Sequence, residues 1–126
     1  MILQMFYFER KINEVKRQMT NLSNCERRIL GCIYEYYRKE GEIPGLKNIM
    51  NLIQQKYESP WKLQTVCTFL TRMEKKGVIV IEKKGKYSYY CPAISYEEYV
   101  HLELKELCDI YFEQNEKKMK QFVRHM

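Results

Sequence analysis

The sequence predicts a mostly α chain of the α+β class: consecutive helices, one short β-hairpin, and a helical arm. Three observations carry this. Apolar residues recur at helical spacing in separate stretches, with Pro, Gly or Ser between them. The run Val78-Ile79-Val80-Ile81-Glu82-Lys83 is too β-branched for a helix and meets a Lys84-Gly85 turn signal. A late stretch is apolar on more than one helical face, which calls for more than one partner surface.

The elements follow in order. From about Leu3 to Met19, the residues Phe8, Ile12, Val15 and Met19 form one stripe, so this helix must dock on its own domain or on a second subunit. Ser23 and Glu26 have capping-box spacing. The helix they open carries Ile29, Leu30, Ile33 and Tyr37 and should end near Glu40-Gly41. After Pro44-Gly45, a second helix carries Leu46, Ile49, Met50 and Ile53 and fades at Gln54-Gln55-Lys56. Ser59-Pro60 marks a break. A third helix runs from near Leu63 to Gly77, with Val66, Phe69, Leu70 and Met73 inward. Gln64, Thr68, Thr71, Arg72 and Lys75 point away from that stripe. The β-branched run is the first strand, and Lys86 to Cys91 is the second, ended by Pro92. Ser95-Tyr96-Glu97-Glu98 is another capping box, opening a helix to about Phe112. Its stripe is Val100, Leu104, Leu107 and Tyr111, with Tyr99, Leu102, Cys108 and Ile110 on other faces. Lys117 to Met126 reads as a short basic helix with Met119, Phe122 and Val123 inward.

This order is that of a winged helix-turn-helix domain. It spans residues 21–92, preceded by an extension helix over 1–20 and followed by a dimerisation arm over 93–126. The length of 126 residues suits one domain with such an arm.

Charge is unevenly placed. The net charge is +6 overall. From Lys62 to Tyr87 seven Lys or Arg face two Glu, a net of +5. From Ala93 to Glu116 one Lys faces seven acids, a net of −6. Solubility alone does not require that split, whereas presenting one face to phosphates does. The five cysteines include no C-x-x-C pair and fit small buried hydrophobes in a reducing cytoplasm. No segment reads as a membrane span, and Met1 to Phe8 lacks the features of a secretion signal. A cytoplasmic location without membrane insertion is expected. His101 and His125 are isolated, with no phosphate-binding Gly loop and no zinc spacing. No catalytic residue, metal or cofactor is therefore expected.

The candidate chemistry is recognition of double-stranded DNA. The third helix would enter the major groove with the second bracing it. Gln64 has the geometry for adenine, and Thr65 and Thr68 can bond bases or phosphates. Arg72, Lys75 and Lys76 would meet phosphates, and Lys83, Lys84 and Lys86 form a basic wing tip. Each feature alone has a plainer explanation. A helical Thr is commonly just solvated, terminal cations favour the helix dipole, and lysines protect a hairpin edge. The rival reading is a winged-helix module that binds protein. Steep weakening with added salt separates phosphate-driven binding from it.

From Leu22 to about Val123 the chain resembles the penicillinase-repressor family, the BlaI, MecI and CopY regulators. The run from Trp61 to Gly77 is the specific part, with the Trp, Thr65, Thr68, Arg72 and the Lys-Lys-Gly ending in place. The stretch from Leu22 to Tyr34 is similar to the family's opening helix. Lys86 to Tyr90 and Ser95 to Tyr99 are similar to its wing exit and arm start. The resemblance implies a homodimeric repressor on a partly palindromic operator. It puts Gln64, Thr65, Thr68 and Arg72 at DNA-contacting positions, and Lys62 and Cys67 complete the candidate set on this helix. Dimerisation would use Tyr99, Val100, Leu104, Leu107, Tyr111 and Phe122. It also implies release when a membrane sensor protease triggers cleavage in the arm, with Gln121 and Phe122 at the expected place and Gln where Asn is usual. Other departures are Cys67 where an Arg often reads a base, Arg27 for a Trp, and Lys62 for a capping Ser. The chain also has about 20 extra N-terminal residues, lacks a final helix, and has no Cys-rich tail of the copper-responsive kind. The extra helix would compensate for lost dimer contacts.

Overall fold

The computed structural model describes residues 13–19, 21–58 and 61–126. The expected extension helix therefore lies largely outside the described residues, as do Phe8, Ile12 and the Ser59-Pro60 break. Residues 13–19 are helical. Val15 and Met19 are buried in the single chain, so this part of the stripe does not need a second subunit to cover it.

The first unit contains α1 (Asn24–Glu40), α2 (Leu46–Lys56), α3 (Leu63–Lys75), β1 (Ile79–Lys84) and β2 (Tyr87–Pro92). Helix α1 begins at the predicted box. Ser23 Oγ accepts from the Glu26 N–H at 3.2 Å, and the Ser23 N–H donates to Glu26 Oε1 at 3.1 Å. It ends at Gly41, whose φ of 73° few other residues would tolerate. Helix α2 starts after Pro44, where Asn48 Oδ1 accepts the Gly45 N–H at 2.9 Å. Helix α3 stops two residues before Gly77. That glycine (φ 77°) donates to the Glu74 carbonyl, and the Val78 N–H donates to the Met73 carbonyl at 3.1 Å. These two bonds make a Schellman motif, so Val78 closes the helix instead of opening the strand.

The hairpin pairs Ile79 with Pro92 through to Lys84 with Tyr87, antiparallel. Gly85 (φ 64°) takes the first position of its two-residue loop, the pattern of a type II′ turn. Tyr89 forms a bridge to Gly45, and the Tyr90 N–H donates to the Pro44 carbonyl at 2.9 Å. The wing is thereby fastened to the entry of α2.

One core joins these elements. Ile29 and Ile33 of α1, Ile49 and Ile53 of α2, Val66, Leu70 and Met73 of α3, and Val78 and Ile79 are all fully buried. Burying each such side chain contributes about 1.5–3 kcal/mol. The Tyr34 hydroxyl donates to the Ile94 carbonyl at 2.8 Å and ties α1 to the segment after the wing. Cys32 and Cys108 are buried, Cys25, Cys67 and Cys91 are half-buried, and all five are free thiols. Burial pushes the Cys32 thiol up to about 11, so it stays protonated.

The second unit, residues 95–126, contains α4 (Tyr96–Tyr111) and α5 (Glu116–Arg124). Ser95 Oγ caps α4 by accepting from the Glu98 N–H. Glu113 and Gln114 both have positive φ in the turn between the helices, and Asn115 caps α5. The short final helix is present, but Phe122 and Val123 are exposed, not inward as expected. Phe122 touches Phe112 at 5.6 Å between ring centres and stays 62% exposed. Among the described residues no helix is long and apolar enough to cross a membrane.

Candidate nucleic-acid interface

The outer face of α3 is set by its inner one. With Val66, Leu70 and Met73 buried, helical geometry turns Gln64, Thr68, Thr71 and Lys75 outward, within about 60° of arc. All four are exposed, as are Lys62, Thr65 and Arg72. Cys67 is half-buried at the edge of this face. Burial raises the neighbouring Tyr90 phenol above its ordinary pKa, with Cys67 and Glu74 pushing the same way.

The geometry refines the roles of these side chains. Thr68 Oγ1 donates to the Gln64 carbonyl at 2.9 Å, and Thr71 Oγ1 to the Cys67 carbonyl at 3.0 Å. Both hydroxyl protons are engaged inside the helix, so toward a ligand each Thr offers lone pairs and a methyl group. The Arg72 guanidinium lies 5.8 Å from the Phe69 ring centre, held against the flank of α3. Thr65 borders a different surface. It lines an open groove with Cys25, Arg28, Tyr57, Trp61 and Lys62, where Tyr57 and Trp61 stack at 6.1 Å and Arg28 sits 5.0 Å over Tyr57.

Lys83, Lys84 and Lys86 are exposed at the wing tip. Lys84 Nζ stands 5.6 Å over the Tyr89 ring and Lys86 Nζ 6.0 Å over the Tyr87 ring. The aromatic faces hold these cations near the hairpin. A groove of about 680 Å³ brings the parts together, lined by Leu63 of α3, Lys86 to Tyr90 of the wing, and Lys47 and Asn48 of α2.

One expected phosphate contact is corrected. Lys76 faces inward, with Nζ 2.8 Å and 3.0 Å from the two carboxylate oxygens of Glu26. Glu26 is 3% exposed. Burial raises its pKa, but Lys76 and Ser23 outweigh this and hold it below the usual carboxylate value. Six of the seven cations between Lys62 and Tyr87 therefore remain for the surface.

Three further positions share this exposed surface without having been singled out from the sequence as candidate contacts. Thr71 lies at the centre of the exposed face, Tyr87 is 62% exposed on the wing, and Lys47 lines the groove. Helical phase alone pointed to Thr71. Nothing local distinguished Tyr87 or Lys47. Among the described residues no group of His, Cys, Asp or Glu is arranged to hold a metal.

A family model described as penicillinase repressor matches residues 22–126. Among solved structures, the chain is similar to the monomeric form of Bacillus licheniformis BlaI, determined in solution in complex with the blaP half-operator. The two are 23% identical, the match covers 61% of this chain and 85% of that one, and the TM-score is 0.46. No curated protein sequence matches.

Proposed function

The chain belongs to the penicillinase repressor family, and from that premise we propose that it is a sequence-reading, DNA-binding repressor that acts as a homodimer on a two-fold operator. The observation that carries this reading is the polar outer face of α3 beside a lysine-tipped wing on one rigid core. Gln64 and the acceptor lone pairs of Thr68 and Thr71 would meet base edges in the major groove. Lys62, Arg72, Lys75, Lys83, Lys84 and Lys86 would meet phosphates, which fix orientation. The role is binding, with no catalytic step assigned.

Dimerisation would use the arm. Leu104, Leu107, Ile110, Tyr111 and Phe122 are exposed there, and large apolar side chains left open on one short unit are what an association surface would use. Tyr99 is buried in the single chain, so it offers a partner little surface. Release by cleavage near Gln121 and Phe122 is compatible with their exposure. Both lie inside α5, so a protease would first have to unwind that helix.

The test is selection from a pool of randomised duplex DNA at moderate salt. The expected product is a motif of two inverted half-sites about one helical turn apart. Retention that is blind to sequence and vanishes with salt would overturn the reading in favour of plain phosphate attraction.

A further inference from the structure

Lys76 is placed like a phosphate contact, at the basic end of α3, yet it is turned into the protein. Its ammonium meets three acceptors: both oxygens of Glu26, and the Asn21 carbonyl at 3.2 Å. The three residues involved serve different structural jobs. Glu26 is in the capping box that starts α1. Asn21 ends the turn that leaves the helical residues 13–19, its own N–H donating to the Gln18 carbonyl at 3.0 Å. Lys76 itself is the C-cap of α3, one residue before the Gly77 turn into the wing.

The two ends of α3 are held unequally. At its start, Lys62 makes no side-chain cap bond. At its end, a Schellman motif, a buried Val78 and the Lys76 ion pair converge within three residues. The buried face of α3 sets its rotation, and the polar anchor at its C-terminal end, which its start lacks, fixes where that end sits. Base reading depends on that placement, because bidentate contacts tolerate little displacement, whereas phosphate attraction depends mostly on charge.

We infer that Lys76 is a positioning residue for base reading, clamping the end of α3 to Glu26 and Asn21, and that residues 13–19 and 21–22 serve the DNA-reading unit through this clamp. The inference rests on the proposed DNA binding. It separates Lys76 from Lys75 and the wing lysines, which would act by direct contact.

The experiment compares wild type, the paired variant E26Q/K76M, and K76R. The paired variant removes one negative and one positive charge, so net charge is unchanged and no buried carboxylate is orphaned. Binding is measured by fluorescence anisotropy over a salt series, on the duplex recovered from the randomised pool and on a scrambled duplex. Circular dichroism fixes a temperature at which each protein is folded. The expected result for E26Q/K76M is about tenfold weaker binding to the selected duplex. Binding to the scrambled duplex and the salt slope should stay unchanged, and K76R should restore most of the loss. Equal weakening on both duplexes, with a slope lower by about 0.9, would make Lys76 a phosphate contact and overturn the inference. Wild-type affinity in the folded paired variant would overturn it as well, leaving the repressor reading intact. Should wild type itself prefer no duplex, both fall together. If E26Q/K76M does not fold, the single variant E26Q, which keeps the Lys76 cation, decides instead: weaker binding confined to the selected duplex supports the clamp, and any other outcome overturns it.

Discussion

Residues 13–94 and residues 95–126 are built from similar amphipathic helices but end in opposite states. In the first unit Ile29, Ile33, Ile49, Ile53, Val66 and Leu70 are sealed from solvent, Tyr34 joins distant elements by a buried hydrogen bond, and Glu26 and Lys76 do so by a half-buried ion pair. In the second, Tyr99 and Cys108 are buried, while Ile110 is 60% and Tyr111 69% exposed. The contrast is not one of composition. A helix whose apolar residues occupy one arc can be satisfied by a single core, and α1, α2 and α3 have one. Helix α4 spreads its apolar residues over several faces, and one short companion helix cannot cover them. The core of the first unit closes within one chain. On the proposed reading, the second is completed by another copy.

The largest effect should come from the closed unit. Leu70→Ala removes a fully buried side chain between helices and should cost about 3 kcal/mol of unfolding free energy in urea titrations. A cost below about 1 kcal/mol would mean that this core relaxes easily and that the contrast with the arm is overstated. In the open unit, Ile110→Asp should leave the thermal stability of the winged domain unchanged and weaken self-association by about 2 kcal/mol, read by sedimentation equilibrium. Association at wild-type strength would show that the exposed face of α4 is not where copies meet.

A third prediction concerns pH. The Glu26 pKa is lowered in the folded protein, so its stabilising contribution is present above the unfolded-state value and is lost as pH falls through the folded one. Acid unfolding of wild type should therefore be steeper than that of Glu26→Gln. Equal slopes over the carboxylate range would mean that the ion pair adds no pH-linked stability.

Features written in local chemistry were legible from the sequence. Ser23 with Glu26, Pro44, Gly77 and Gly85 each act within a few residues, and the structure uses them at the expected places. The first strand starts one residue late because the Schellman motif claims Val78, and the second runs over Tyr87–Pro92, taking in the proline expected to end it, which pairs with Ile79. The polar face of α3 was legible because helical phase is nearly invariant. Lys76 was not, since a cation at a helix end looks the same whether it serves the dipole, a phosphate or a carboxylate 50 residues away. The engaged hydroxyls of Thr68 and Thr71 were hidden for another reason, as the rotamer choice of a helical Thr has no sequence signature. Phe122 and Val123 misled because an apolar stripe announces a partner surface without saying that it lies in the same chain.

The smallest effect comes from a place where the closed unit is not optimised. Lys62 holds the N-cap position of α3 with extended backbone (φ −71°, ψ 145°), but it has no side-chain oxygen to accept an orphan N–H. Lys62→Ser supplies one, and should raise stability by about 0.5–1 kcal/mol in thermal melts. It also deletes a surface cation beside the outer face of α3, so DNA affinity should fall and the salt slope should drop by about 0.9. Stability and binding would then move in opposite directions. That is the expected sign where a residue has been kept for the ligand at the expense of the helix. A variant that gained stability with affinity and slope intact would remove Lys62 from the interface and leave its place at the cap without a functional reason.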